Sequence, residues 1–337
     1  MKAIATDGQG RVWLADAPMP ATGPYDCLVK MRSCLFCNST DQHIVEGSFD
    51  FGIPYPALLG HESLGQVVEC GSKVRNFQVG DWVTRAYAIY PDETNAGLGS
   101  GWAGFAEFGK IRDHAAERED TGTEALGFFK YMQKLPPKLD PAKAELLICQ
   151  KELFSATRKL GDLGGRSFLI AGAGVAGLLF AVFLKLGGAA RVAVAARRQE
   201  ALDLVRKLTP ADETILIGGN SAATERFDEL IDTTGSLAAL HSIAADWLAP
   251  GGPIHSYAIY SEMSCQNFAS LLPDGHPHAR LDPDEASAHE EVCALLSSGT
   301  ITSQDWIAKR FSLAEFEQAW ALVKSKAGLK IAIDFGD

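Results

Sequence analysis

Apolar residues in the first third of the chain come in short runs broken by glycine, proline and aspartate. The runs 27–31, 65–69 and Trp82–Thr84 read as strands; Gly71, Gly80-Asp81, Pro91-Asp92 and the cluster Gly97, Gly99, Gly101 and Gly104 read as turns or a flexible lobe. Near residue 140 the rhythm changes. Asp140-Pro141 opens a helical region over 142–160, with proline at the first helical position. Strands at 168–171, 192–195, 214–217 and Glu229–Asp232 then alternate with helices over 175–186, 199–208 and 237–248. Such alternation predicts a parallel sheet with helices on both faces. Helices over 286–298 and 312–324 and a closing strand over 330–335 complete the pattern.

One stretch invites a different reading. The run 167–184 holds 18 residues without a charge, the lower edge of what spans a bilayer. It divides, however, into β-type Phe168-Leu169-Ile170, a glycine turn and a helix-like segment, as a buried parallel strand feeding a helix would. The turn Gly172-Ala173-Gly174-Val175-Ala176-Gly177 is G-x-G-x-x-G in that strand–helix setting. The first glycine permits the tight turn, the second lets backbone approach a pyrophosphate, and the third lets helix and strand pack closely. The helix N-terminus then offers free N–H groups to phosphate. Dinucleotide binding is therefore expected at Gly172, Gly174, Val175, Ala176 and Gly177. At the end of the next strand an NAD enzyme carries an acid for the ribose 2′-hydroxyl. This chain has Ala196 followed by Arg197 and Arg198. Guanidinium groups pair a 2′-phosphate, so NADP(H) is expected in preference to NAD(H); the bland alternative is a solvated start to a helix.

Composition narrows the setting. With 337 residues, 47% of them hydrophobic, the chain is globular and long enough for about two domains. A net charge of −11 disfavours nucleic acid and anionic membrane surfaces as partners. Seven cysteines, an odd number thinly spread, do not form a disulfide framework, and the first residues contain no apolar leader, so a cytoplasmic location is expected. For Cys27, Cys70, Cys265 and Cys293 the expectation is a small buried hydrophobe. Cys34-x-x-Cys37 has redox spacing without a thioredoxin-like context.

The chemistry concentrates in two places before residue 72. Cys37-Asn38-Ser39-Thr40-Asp41-Gln42-His43 packs a thiol, two hydroxyls, a carboxylate and an imidazole into seven residues, and Gly60-His61-Glu62 sets a histidine beside an acid. Thiolate with imidazole suits Zn²⁺, and a catalytic zinc keeps one position open. The pattern G-H-E-x-x-G-x-V-x-x-x-G at Gly60, His61, Glu62, Gly65, Val67 and Gly71 resembles that of the zinc-dependent medium-chain alcohol and polyol dehydrogenases, as does Cys37–His43 with one extra residue. The resemblance implies an α/β chain. A GroES-like, mostly-β catalytic domain would come from 1–145 and 286–337, and a Rossmann doubly wound parallel-sheet domain from 146–285. It also implies Cys37 and His61 as zinc ligands, and Glu62 as an acid behind them or an exchanging ligand. Ser39 or Thr40 would be the relay hydroxyl, the extra residue leaving both open, and His43 would pass the proton outward. The family's third ligand lies some two dozen residues before the first Rossmann glycine. Cys149 stands 23 residues before Gly172 and Glu152 stands 20, so Cys149 is preferred. Many relatives hold a structural zinc on four cysteines; the corresponding stretch 85–113 has none, which implies one zinc only.

The resemblance further implies a reaction that interconverts a secondary alcohol (a sugar, polyol or cyclitol) and its ketone by hydride transfer to the dinucleotide. Phe49, Tyr55, Tyr87 and Trp102 are candidates to line the substrate cleft, and the loop 97–104 to order over it or against a partner. Residues 251–260 could supply an edge strand pairing across a homodimer or within a homotetramer. Two rivals share the scaffold: a zinc-free NADPH-dependent enone or quinone reductase, and a non-catalytic binding protein.

Overall fold

A computed structural model describes residues 1–48, 51–124, 127–218, 225–264, 268–326 and 328–336; Phe49 and Cys265 lie outside these. The chain divides into two compact units, Met1–Ile148 with His289–Asp337, and Cys149–Ala288.

The spine of the first unit is the strand Asp26–Leu35, in which Cys27, Val29 and Met31 are buried and the residues between them are not. That period of two is what a pleated strand imposes. It pairs antiparallel with Glu62–Cys70, Phe108–Arg112 and Lys330–Asp334, in a sheet that continues to Trp82–Thr84 on one side and Ile307–Ser312 on the other. Gly65 is required where the strands meet: a Cβ there would stand 2.5 Å from Val29 Cγ1 and 2.8 Å from the Lys30 carbonyl. A smaller sheet runs Val12–Asp16, Lys2–Thr6, Ala57–Leu58, Gly99–Ser100. Phe36, Phe105, Trp320, Ile331 and Ile333 fill one core of the unit. Two helices absent from the hydropathy reading, Thr40–Glu46 and His114–Thr121, are short, and the first follows directly on the site residues.

Charge holds the cysteine-free stretch 85–113 to this sheet. Buried Asp26 accepts from Arg112 Nε (2.8 Å) and from the Tyr90 hydroxyl (3.1 Å). Lys110 Nζ donates to Glu93 (2.8 Å) and stands 4.0 Å from the centre of the Tyr90 ring. Ser100 Oγ donates to the Ile89 carbonyl at 2.6 Å.

The second unit is a six-stranded parallel sheet in the order Glu213–Leu216, Arg191–Ala196, Ser167–Ala171, Glu229–Asp232, Ile254–Ser256, His278–Arg280. By chain order within the unit this is 3-2-1-4-5-6, the doubly wound dinucleotide-binding arrangement, with its switch point between Ser167–Ala171 and Glu229–Asp232. The long uncharged run becomes the buried strand Ser167–Ala171 and the helix Val175–Leu186. Among the described residues no helix is long and apolar enough to cross a membrane.

Three expectations are corrected. The segment around Ile254–Ser256 is not an edge: His278–Arg280 pairs outside it, because the chain returns after residue 277 to add one more parallel strand. The helical region over 142–160 resolves into a 3₁₀ turn, Pro141–Lys143, capped by Asp140 Oδ1 accepting from Ala142 N–H (3.0 Å), and a separate helix, Leu147–Arg158. Tyr87 lines no cleft, since its side chain packs at 0% exposure among Met31, Val83, Tyr90 and Ile111.

Candidate metal centre and cofactor site

Strand register builds the donor cluster. Leu35 pairs with Glu62, and Leu35 also faces Ala332 on the closing strand. The chain just past Leu35, the chain just before Glu62 and the start of Lys330–Asp334 therefore converge. Donor atoms of Cys37, His61 and Glu62 all lie within 4.8 Å of one another. His61 and Glu62 are buried and Cys37 is partly exposed, so the cluster opens on its thiol side.

Two residues that motif counting left without a role hold the cluster in place. Asp41 is fully buried; its Oδ2 accepts from the Cys37 N–H at 2.9 Å, and its Oδ1 faces His61 Nδ1 at 3.2 Å. With Nδ1 turned to Asp41, Nε2 lies 3.7 Å from Glu62 Oε1 and is the nitrogen left to ligate. Lys330, 2% exposed, donates to both oxygens of Glu62 (2.5 and 2.7 Å) and to the Phe36 carbonyl (3.2 Å). Its signal in the sequence is a cation heading the apolar run Ile331-Ala332-Ile333. Burial alone would raise the Cys37 thiol, but Lys330 and His61 outweigh it and hold the group below its ordinary value. Burial likewise works against charge on His61, yet Asp41 and Cys37 carry it well above the usual imidazole range. A thiolate, an imidazole and a carboxylate, already polarised and gathered around one point, fit a zinc ion. A zinc ion bound there would take the place of the His61 Nε2 proton.

The remaining predicted residues distribute as follows. Ser39 is the exposed N-cap of Thr40–Glu46, and Thr40 and His43 lie one turn apart on that helix. His43 Nδ1 is 2.8 Å from Ser48 Oγ; burial lowers its pKa against the pull of Glu46, which favours the neutral, proton-accepting ring. Cys149 is buried and Glu152 follows three residues later on Leu147–Arg158; the Glu152 carboxylate accepts from the Tyr257 hydroxyl at 3.5 Å. Trp102, held at φ +66°, sets its ring 5.5 Å from that of His61, with Phe51 edge-on at 5.8 Å. Tyr55 instead donates its hydroxyl to the Ile44 carbonyl (2.8 Å). Cys34, next to last in its strand, is buried, and burial pushes its thiol well up.

The glycine turn sits at the carboxyl end of Ser167–Ala171. Gly172 takes φ +107°, and Gly174 caps the helix Val175–Leu186, whose first residues Val175 and Ala176 present backbone N–H groups. A Cβ on Gly177 would stand 1.9 Å from the Gly172 carbonyl oxygen. Backbone cannot yield there, so Gly177→Ala is expected to abolish dinucleotide binding and lower the melting temperature. NADPH fluorescence titration checks this; wild-type affinity in the variant would show that the turn is not the phosphate cradle. Across the switch point, Thr233 Oγ1 donates to the Ala171 carbonyl (2.8 Å), and buried Asp232 accepts from Thr234 and Tyr260. Ala196 ends its strand, and exposed Arg197 and Arg198 lead into the helix Gln199–Leu208.

Residues 23–118 match the family described as alcohol dehydrogenase GroES-like domain. The chain is similar to D-arabinitol dehydrogenase 1 of Uromyces fabae, 25% identical over 94% of this chain and 92% of that protein. It is also similar to L-threonine 3-dehydrogenase of Shewanella frigidimarina, 27% identical over 96% of both. The chain thus resembles the zinc-dependent medium-chain dehydrogenases/reductases along its length. A solved structure from Sinorhizobium meliloti 1021, bound to NADP, shares the medium-chain dehydrogenase fold, with a TM-score of 0.74 over 99% of each chain and 21% identity. These relatives are oxidoreductases of small-molecule alcohols, and Cys37, His61 and Glu62 are the donor set that this chain presents.

Proposed function

We propose that this dehydrogenase interconverts a secondary alcohol of the sugar, polyol or cyclitol class and its ketone, with NADP(H) preferred to NAD(H). One zinc per chain would be held by Cys37 and His61, with Cys149 as the preferred third ligand and Glu62 as an exchanging one. The gathering of Cys37, His61 and Glu62 carries the reading, since an enone reductase working without metal has no use for that trio. The D-arabinitol dehydrogenase among its relatives, named for a polyol, supports the substrate class. When bound, zinc supplies Lewis acidity that lowers the alcohol's pKa, and the nicotinamide supplies the hydride acceptor. Asp41 orients His61, and Lys330 neutralises Glu62 so that the buried carboxylate does not stand unpaired. The hydroxyl of Ser39 or Thr40 takes the alcohol proton, and His43, neutral at working pH, carries it outward.

The deciding experiment is reduction of NADP⁺ and NAD⁺ by a panel of polyols, sugars and cyclitols, with zinc measured on the same preparation. Turnover faster with NADP⁺, at about one zinc per chain, is the expected result; no turnover with any member of the panel would overturn the substrate class. Arg197→Ala combined with Arg198→Ala tests the dinucleotide preference. Losing charge-assisted hydrogen bonds to a 2′-phosphate is expected to weaken NADPH by roughly ten- to a hundredfold and NADH little. Equal losses for both would remove the assignment.

A further inference from the structure

The strand pair that brings the metal donors together at one end carries two thiols at the other. Cys27 opens Asp26–Leu35, Cys70 closes Glu62–Cys70, and the two are direct cross-strand partners with Sγ atoms 3.5 Å apart. The Gly71 N–H donates to the Asp26 carbonyl at 2.8 Å, so the ladder bond flanks the pair and does not join it. Cys27 and Cys70 thus occupy a non-hydrogen-bonded pair, where Cα atoms approach to about 4.5 Å and side chains are closest. That separation lies at the short end of the range a disulfide accepts. Closing the bond needs only the sulfurs to draw in from 3.5 Å to about 2 Å. Cys27 is fully buried, whereas Cys70 is partly exposed, at the point where the strand gives way to the turn at Gly71.

We propose that Cys27 and Cys70 are a two-electron oxidation site that closes to a cross-strand disulfide when the protein meets a hydroperoxide. Cys70, the reachable thiol, attacks the peroxide as thiolate: an S–O bond forms, the O–O bond breaks, and the alcohol or water derived from the peroxide leaves. Cys27 then attacks Cys70 Sγ, the S–S bond forms, the S–O bond breaks, and water leaves with the Cys27 proton. Two thiols lose two electrons and two protons; one hydroperoxide becomes an alcohol, or water, and a second water. Burial pushes the Cys27 thiol strongly up, so it is not the thiol that meets peroxide first, and its attack on Cys70 rests on the 3.5 Å approach of the two sulfurs. Because the pair sits at the far end of both strands from Leu35 and Glu62, the bond pins strand register without touching the donor residues.

The test is peroxide treatment of the full-length, zinc-loaded enzyme, followed by alkylation under denaturing conditions and peptide mapping by mass spectrometry. A Cys27–Cys70 peptide lighter by two hydrogens and released by a thiol reductant is expected, with a rise in melting temperature that reductant reverses. Cys70→Ser should remove both the peptide and the rise, while Cys27→Ala should let Cys70 run on to sulfinic acid. The proposal fails if peroxide takes wild-type Cys70 to sulfinic acid while Cys27 is recovered alkylated. It fails equally if both are recovered alkylated after other thiols have reacted.

Discussion

His61→Ala is expected to release the bound metal and lower kcat for alcohol oxidation by at least about a thousandfold. The magnitude follows from the several kcal/mol that a Lewis acid contributes to charge stabilisation, each 1.36 kcal/mol of which is about tenfold in rate. His61 is buried against Asp41, which holds its ring by Nδ1, and its Nε2 is 3.7 Å from Glu62 Oε1. No other imidazole belongs to the cluster among the described residues, so nothing else can supply that donor. Cys37→Ser should act in the same direction, since a hydroxyl does not ionise to take the place of the thiolate. The measurement is kcat beside zinc content, with NADPH titration as the control. Dinucleotide affinity should persist, because the glycine turn is untouched. A variant that lost its metal and kept full turnover would sink the zinc reading.

The second large effect concerns stability. Asp26→Ala is expected to destabilise the first unit by about 3–5 kcal/mol, the usual result of removing one partner from a buried ion pair, and to lower the melting temperature by roughly 10 °C. Asp26 is 2% exposed and binds Arg112 through Nε (2.8 Å), the Tyr90 hydroxyl (3.1 Å) and the Gly23 N–H (2.8 Å). Its loss leaves the Arg112 charge beside the rings of Tyr90 and Phe129 with the more distant Glu117 carboxylate at 3.8 Å. Burial would raise the Asp26 carboxyl, but Arg112, Gly23 and Tyr90 together keep it below the ordinary aspartate value. The unfolded chain therefore takes up this proton at higher pH than the folded one. The stabilisation is complete above the unfolded value of about 4 and is lost as pH falls through the folded one. The gap in melting temperature between wild type and Asp26→Ala should accordingly narrow as pH drops below about 4. A gap that stayed constant to pH 2 would show that the ion pair is not its source.

Much of the architecture was legible in local pattern. Trp82–Thr84 and Glu229–Asp232 fall where apolar runs between turn residues put them, and the glycine turn at Gly172 was visible as a breaker between strand and helix. Local pattern could not reveal pairings made across long separations. Lys330 looked like the first residue of a closing strand, and only the register of Ala332 with Leu35 brings it to Glu62. Asp41 stands in the sequence only as the carboxylate of the Cys37–His43 run, and its hold on Cys37 and His61 follows from the turn into a seven-residue helix too short for periodicity to detect. Cys27 and Cys70 each read as a small buried hydrophobe, because neither sequence neighbourhood hints at the other.

The central strand Asp26–Leu35 has neighbours drawn from the beginning, the middle and the very end of the first unit's sequence. On a ribosome, which delivers the chain from its N-terminus, the pairing with Glu62–Cys70 and Phe108–Arg112 becomes available early. The strand Lys330–Asp334 emerges only after the whole second unit has been made. Until then Glu62 has no Lys330 beside it, and burying its carboxylate would be costly. A residue made only after the whole second unit thus completes the electrostatic environment of a site whose donors precede that unit.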